Sequence, residues 1–173
     1  MYVQEGAACG DKHFRGLALI DKLRFLVRFW DLTARHAMNA LASAEKLELH
    51  ALLKVATQDA RLPPRGIVSR TPDSIAGELI GEFGFVRCEL RQVNAAGFVV
   101  AGYRGIKAGT SLILRVSDEL RGVDYAIPCS VVWTHEIGTS TMALKIDGTP
   151  TETSFTSLSR ISLVPRQAPQ LMA

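Results

Sequence analysis

Apolar residues recur at heptad spacing through the first third of the chain. Between residues 20 and 55, ten of the eleven seam positions are apolar, and only Glu48 interrupts them. Neither glycine nor proline occurs from Leu17 to Leu62. An apolar period of about 3.5 residues sustained over five heptads is typical of a coiled coil or a helical hairpin. The seam consists of Ile20, Leu23, Val27, Trp30, Ala34, Ala37, Leu41, Ala44, Glu48, Ala51 and Val55.

Two arrangements of this helical region agree with the pattern. The favoured one is a single helix of about 40 residues and about 60 Å, which is too long to bury one stripe against a small domain. Such a helix predicts a homo-oligomer, held together by Ile20, Leu23, Val27, Trp30, Ala34, Ala37, Leu41 and Ala44. The alternative is a pair of shorter helices that fold back near Ser43, with the serine as a helix N-cap.

A second apolar stripe lies beside the seam in the first half of this region. It consists of Phe25, Phe29 and Leu32. Large apolar groups on two sides of a helix require burial on both sides. This end of the helix is therefore expected to contact both its own domain and a partner.

The apolar period changes to two after the proline pair in residues 61–65. Alternating segments at residues 86–90, 112–116, 125–133 and 142–146, an apolar segment at 98–100 and a further strand within 74–83 predict short strands. Glycine, asparagine and aspartate turns between them favour a small antiparallel barrel. A short amphipathic helix carrying Phe155, Leu158 and Ile161 is expected to close one end. The fold class is thus α+β, with a helical oligomerisation region at residues 1–62, a barrel at 63–165 and a loose tail at 166–173.

Composition and charge exclude several classes of protein. The 173 residues are 47% hydrophobic and carry a net charge of +3, typical of a globular chain and too mild to require a nucleic-acid partner. No apolar run is long enough to span a bilayer, and the first residues do not resemble a secretory signal. Three cysteines without ligand spacing, Cys9, Cys88 and Cys129, predict reduced thiols in a cytoplasmic protein and no zinc site.

Sequence motifs of enzymes are absent as well. None of the GxGxxG, GxxxxGK[ST], HExxH or GxSxG patterns occurs, and the carboxylates fall at expected turns. The chain is accordingly predicted to have no catalytic residues, metal or cofactor.

The order of strands and turns after residue 61 resembles the PilZ domain, a small six-stranded barrel family associated with cyclic di-GMP. The similar segments are residues 88–100, 106–115, 127–133 with its Val-Val-Trp end, and 141–146. They cover about 100 residues and leave out the helical region. The resemblance implies a barrel fold and a part in cyclic di-GMP signalling.

Ligand binding in that family depends on an RxxxR segment and a [DN]xSxxG turn. The resemblance implies that the arginines stack on guanine and pair with phosphate, while the turn contacts the guanine edge. Here Arg61 and Arg65 have the first spacing. In the turn, Gln92 replaces Asp or Asn, Asn94 replaces Ser, and Gly97 is retained.

The resulting functional hypothesis is a non-enzymatic adaptor of the bacterial cytoplasm. It would oligomerise through its heptad helix, contact an unidentified regulatory protein, and bind cyclic di-GMP weakly or not at all. The family resemblance implies a role in motility, type IV pili, exopolysaccharide or virulence control. The alternative is a functional cyclic di-GMP receptor whose site consists of Arg61, Arg65, Gln92, Asn94 and Gly97.

Overall fold

Two helices precede seven strands in the residues that the computed structural model describes, which are 18–57, 61–65, 73–136 and 140–154. The helices are α1 (Leu19–Ala37) and α2 (Ser43–Ala56). The strands are β1 (Ile75–Gly81), β2 (Gly84–Asn94), β3 (Gly97–Ala101), β4 (Ser111–Asp118), β5 (Val123–His135), β6 (Thr141–Ile146) and β7 (Thr151–Ser154). Neither helix is long and apolar enough to cross a membrane. The predicted helix around Phe155, Leu158 and Ile161, and the tail at 166–173, lie outside the described residues.

The helical region is a hairpin, so the preferred prediction of one continuous helix is wrong. The turn after α1 includes Asn39 in the left-handed conformation, with a φ of 55°, which a continuing helix does not allow. The side chain of Glu45 then accepts a hydrogen bond from the Ala42 amide at 3.0 Å, at the start of α2. The chain folds back next to Ser43, as in the alternative prediction, but the side chain that caps the backbone belongs to Glu45.

Ion pairs join the two helices of the hairpin. Arg35 contacts Glu45 through two hydrogen bonds of 2.6 and 2.8 Å, and Arg28 contacts Glu48 through two of 2.9 and 2.7 Å. Glu48 is the one polar residue of the heptad seam. Its position is explained because the carboxylate lies opposite Arg28 of α1 and is the nearest carboxylate to that guanidinium group.

The strands form a closed antiparallel barrel, which confirms the predicted barrel. The sheet order is β4-β1-β2-β3-β6-β5, and pairing of β4 with β5 closes it. Strand β7 pairs with residues 123–126 of β5 outside this ring. Register shifts between Leu90 and Gln92 and between Val131 and Trp133 bend β2 and β5. Each predicted strand is present, while β7 was not predicted because its sequence, Thr-Glu-Thr-Ser, has no apolar alternation.

Helix α1 belongs to the core of the barrel. Leu23, Leu26 and Val27 are buried in one apolar cluster with Phe98, Tyr125 and other interior residues of the strands. The predicted oligomerisation residues Leu23 and Val27 therefore face the chain's own barrel. Ile20 and Trp30 pack partly against the same cluster, and Leu41 is buried in the hairpin turn.

The other side of α1 is covered by α2. Leu32 is fully buried but lies outside the barrel cluster, on the side of α1 opposite to Leu23. The prediction that this helix needs contacts on two sides agrees with the structure, with α2 in the place expected for a partner. Among the predicted interface residues, Ala37 and Ala44 remain exposed and Ala34 is half-buried.

A buried carboxylate at the end of β4 binds an arginine of α1. The Asp118 side chain is 2% exposed and accepts a 2.7 Å hydrogen bond from Arg24 Nε. That hydrogen bond holds the pKa of Asp118 below its usual range. The pair therefore stabilises the fold only while Asp118 is ionised.

We expect Asp118→Asn to lower the free energy of unfolding at pH 7 by about 2 kcal/mol, because Arg24 loses its buried charged partner and keeps only the more exposed Asp21. Since the folded-state pKa is lowered, the contribution is complete above the unfolded carboxyl pKa of about 3.9 and is lost as the pH falls through the folded value. Urea unfolding at pH 7 and at pH 3 should show the difference from the wild type shrinking in acid. The exposed Asp147→Asn is the control, and a difference independent of pH would contradict the assignment.

Candidate functional site

The turn between β2 and β3 contains two of the predicted ligand residues and is held by one of them. Asn94 is 7% exposed, and its Oδ1 accepts hydrogen bonds of 3.0 Å from the amides of both Ala96 and Gly97. An asparagine side chain that binds the following amides is a stable local turn. Asn94, which replaces the serine of the family motif, thus has a structural role in this chain.

Gly97 is required by the close approach of β6. Its φ is +152°, and a Cβ atom built on it would lie 1.9 Å from the Leu144 carbonyl oxygen. No side chain fits at that distance. The one retained residue of the ligand motif is therefore explained by strand packing alone.

Segment 61–65 lies against the barrel beside this turn. Asn94 Nδ2 donates a 3.0 Å hydrogen bond to the Arg61 carbonyl oxygen, and Trp133 Nε1 donates a 3.1 Å hydrogen bond to the Pro63 carbonyl oxygen. Both acceptors are main-chain carbonyl oxygens. They belong to a segment with two prolines, which have carbonyl oxygens but no N–H groups of their own. The segment between hairpin and barrel is therefore tethered to β2 and β5.

These contacts bring the predicted ligand residues together on the outside of the barrel. Gln92 and Asn94 are two residues apart on β2 and share a face, with Gln92 half-buried. Across the sheet, Gln92 pairs with Val99, Val99 with Ala143, and Ala143 with Trp133. Cross-strand partners share a face of the sheet, so the side chains of Val99 and Ala143 lie between Gln92 and the indole of Trp133.

The arginine side chains of segment 61–65 point to solvent. Arg61 and Arg65 are exposed, and neither forms an ion pair with any residue in the described part of the chain. Lys145, which pairs with Gly97 in the sheet, is exposed as well. The face is therefore cationic and could attract an anion, but the pairing groups are not held in place.

The polar groups of the turn are largely used within the protein. Asn94 directs its carbonyl oxygen to two amides and one of its two amide hydrogens to segment 61–65. A ligand that needs more than the second amide hydrogen of Asn94 must displace the segment or open the turn. These hydrogen bonds hold segment 61–65 in place and leave few unpaired polar groups in the turn that could bind the edge of a guanine base.

Trp133 is a site residue that sequence reasoning placed only in a strand. Its indole N–H tethers Pro63, 70 residues earlier in the chain. The residue type was the one sequence signal for such a contact, because the indole N–H of a tryptophan usually has a hydrogen-bond acceptor when it is buried. Its partner could not be identified from local pattern.

Two cavities lined by described residues lie away from this face. One of about 930 Å³ lies between the hairpin and the barrel, where Arg24, Arg28 and Arg121 contribute to its lining. Each of these guanidinium groups already contacts a carboxylate. Another of about 650 Å³ lies along β1 and β4. Neither cavity is lined by Asn94, Gly97 or segment 61–65.

The described residues also lack a metal cluster. No group of three histidine, cysteine or acidic side chains lies close enough to hold an ion in the ranges that the structure covers. Cys88 and Cys129 are buried and unpaired, and burial raises the pKa of the Cys88 thiol to about 12 and also raises that of Cys129. Both thiols are therefore protonated at neutral pH, unsuited to nucleophilic or ligand roles. Cys9 lies outside the described residues.

The closed barrel is the part of the family resemblance that the structure supports directly. Its six antiparallel strands are compatible with the barrel that the PilZ resemblance implies. Membership of the family has no further support. No protein-family model matches the chain, and no curated protein matches it either.

Proposed function

We propose that this protein is a PilZ-like, non-enzymatic adaptor of the bacterial cytoplasm. It would act by protein–protein interaction in the control of motility, type IV pili, exopolysaccharide or virulence, with weak or no binding of cyclic di-GMP. The observation that carries the proposal is the use of Asn94 inside the protein, where it holds both its own turn and segment 61–65. A turn whose polar groups are used in this way serves to hold the segment between the hairpin and the barrel.

A second candidate, a cyclic di-GMP receptor, is favoured by the placement of the arginines. Arg61 lies next to Asn94, and both Arg61 and Arg65 are exposed beside a face of small residues. Guanidinium groups can stack on bases and pair with phosphates. Binding would then require the ligand to replace the contacts from Asn94 and Trp133 to segment 61–65.

Calorimetric titration with cyclic di-GMP separates the two candidates. We expect no heat of binding at tens of micromolar ligand, because the turn offers only Gln92 and one amide hydrogen of Asn94, and the arginines are unanchored. Saturable binding that disappears in Arg61→Ala/Arg65→Ala would overturn the adaptor proposal and establish the receptor. Arg87→Ala/Lys107→Ala, which removes two exposed cations elsewhere, is the matched control.

Self-association is a separate part of the proposal. The heptad pattern predicts a homo-oligomer, but Leu23, Val27 and Leu41 are buried within one chain. Of the predicted oligomerisation residues, Ala37 and Ala44, at the turn end of the hairpin, are the two that remain exposed.

A further inference from the structure

The outward face of α2 has a charge distribution that the contacts with α1 create. The helix contains two acidic residues, Glu45 and Glu48. Both face α1, where they pair with Arg35 and Arg28 at 2.6 to 2.9 Å. No carboxylate of α2 is therefore left on its outward face.

The basic residues of the same helix all lie on that outward face. Lys46, His50 and Lys54 are four residues apart, so they form one row along the helix. All three are exposed, and none of their side chains forms an ion pair or hydrogen bond with another residue in the described ranges. A row of this kind attracts anionic groups and has no intramolecular counter-ion there.

Two leucines flank this basic row. Leu47 is 75% exposed and Leu53 is 46% exposed. At about 100° per residue they are about 120° apart around the helix, with the three basic residues between them. A partner that forms ion pairs with this row could therefore also make apolar contacts with a leucine on each side of it.

We propose that this outward face of α2, defined by Lys46, Leu47, His50, Leu53 and Lys54, docks an acidic amphipathic segment of another protein. The inference rests on the adaptor function proposed above and gives its partner a chemistry, a row of carboxylates bordered by apolar side chains. The carboxylates would pair with the basic row, while the apolar groups cover Leu47 and Leu53.

The other occupants fit the charges less well. Residues 155–173 contain two arginines and no acidic residue, and residues 1–17 have two acidic residues against one lysine, one arginine and one histidine, so neither terminal segment supplies a carboxylate row. A second copy of the chain would present the same basic row and repel it. Helices that lie on membranes carry their apolar groups on one continuous arc, and here the leucines are separated by the charges.

The test uses the full chain and a synthetic helical peptide as the probe. The peptide has about 16 residues, with glutamate at every fourth position and leucines on both sides of that row. Binding is measured by fluorescence anisotropy of the labelled peptide. We expect Lys46→Glu and Leu47→Ala each to weaken binding about fivefold, which corresponds to the loss of one ionic or one apolar contact.

Both variants should fold, because glutamate is favourable in the first turn of a helix and Leu47 is exposed. Lys107→Glu, at an exposed lysine of the barrel, is the charge-matched control and should change the affinity less than twofold. Equal losses in Lys46→Glu and Lys107→Glu would overturn the inference, because they would show attraction to the net charge alone.

Other ligands decide the class of partner. Duplex DNA or vesicles with anionic lipid that bind more tightly than the peptide, with the same sensitivity to Lys46→Glu, would overturn the proposal in favour of a polyanion. Self-association abolished by Leu47→Ala would assign the face to a second copy. Peptide binding that is absent while the protein also fails to bind cyclic di-GMP removes this inference and leaves the adaptor proposal standing.

Discussion

Gly97→Ala is expected to lower the free energy of unfolding by about 3 kcal/mol, near the upper end for overpacking a core. The new methyl group would lie 1.9 Å from the Leu144 carbonyl oxygen, and the φ of +152° adds backbone strain for any residue with a Cβ atom. Strand β3 would have to separate from β6 at the end where Gly97 pairs with Lys145. Urea unfolding followed by circular dichroism measures the loss.

Gly84→Ala is the matched control. Gly84 also has a positive φ, +90°, but a Cβ atom there meets nothing within 4 Å, so only the conformational cost of about 1 kcal/mol remains. Equal losses in the two variants would show that backbone conformation, and not the approach of β6, requires Gly97. A destabilised Gly97→Ala also means that lost ligand binding in this variant says nothing about a contact with the ligand.

Leu23→Ala is expected to lower the free energy of unfolding by about 3 kcal/mol, because a fully buried leucine is replaced by a cavity between α1 and the barrel. The loss should be the same at all protein concentrations, since Leu23 packs within one chain. Urea unfolding at two concentrations at least tenfold apart checks both parts of the expectation.

Leu47→Ala, on the exposed face of α2, is the control and should change the unfolding free energy by less than about 0.5 kcal/mol. Sedimentation of the same variants tests the original oligomer prediction. If Leu23→Ala dissociated an oligomer and left the unfolding of the monomer unchanged, the seam would serve assembly, and the packing of α1 on the barrel would be contradicted.

The heptad pattern shows why assembly is hard to predict from periodicity. A stripe of Leu23, Val27 and Trp30 needs an apolar partner, but the stripe does not specify whether that partner is another copy, another helix or a sheet. In this protein the barrel covers one side of α1 and α2 covers the other. The hairpin itself depends on the five-residue turn Met38–Ala42. Asn39 adopts the left-handed backbone conformation there, but an asparagine alone is a weak sequence signal for a turn.

The candidate site divides in a similar way. The PilZ resemblance implied a ligand site of Arg61, Arg65, Gln92, Asn94 and Gly97. In the structure, segment 61–65 lies beside the turn that contains Asn94. These residues have different roles in the structure, however. The side chain of Asn94 forms local and long-range hydrogen bonds, and Gly97 is required by the close approach of β6. Trp133 joined the site only through a contact that spans 70 residues.

The sequence by itself determined the helical character of residues 19–37 and 43–56 and the positions of six strands of a small antiparallel barrel, because apolar period and turn residues act over a few neighbours. Only the tertiary structure decided that the helices form a hairpin, that α1 completes the barrel core, and that the acids of α2 turn inward and leave a basic outer face. These features depend on contacts such as Arg24 with Asp118 and Arg28 with Glu48, between residues far apart in the chain. Such pairs stabilise the fold only once the chain has brought them together, so no local pattern of residues encodes them.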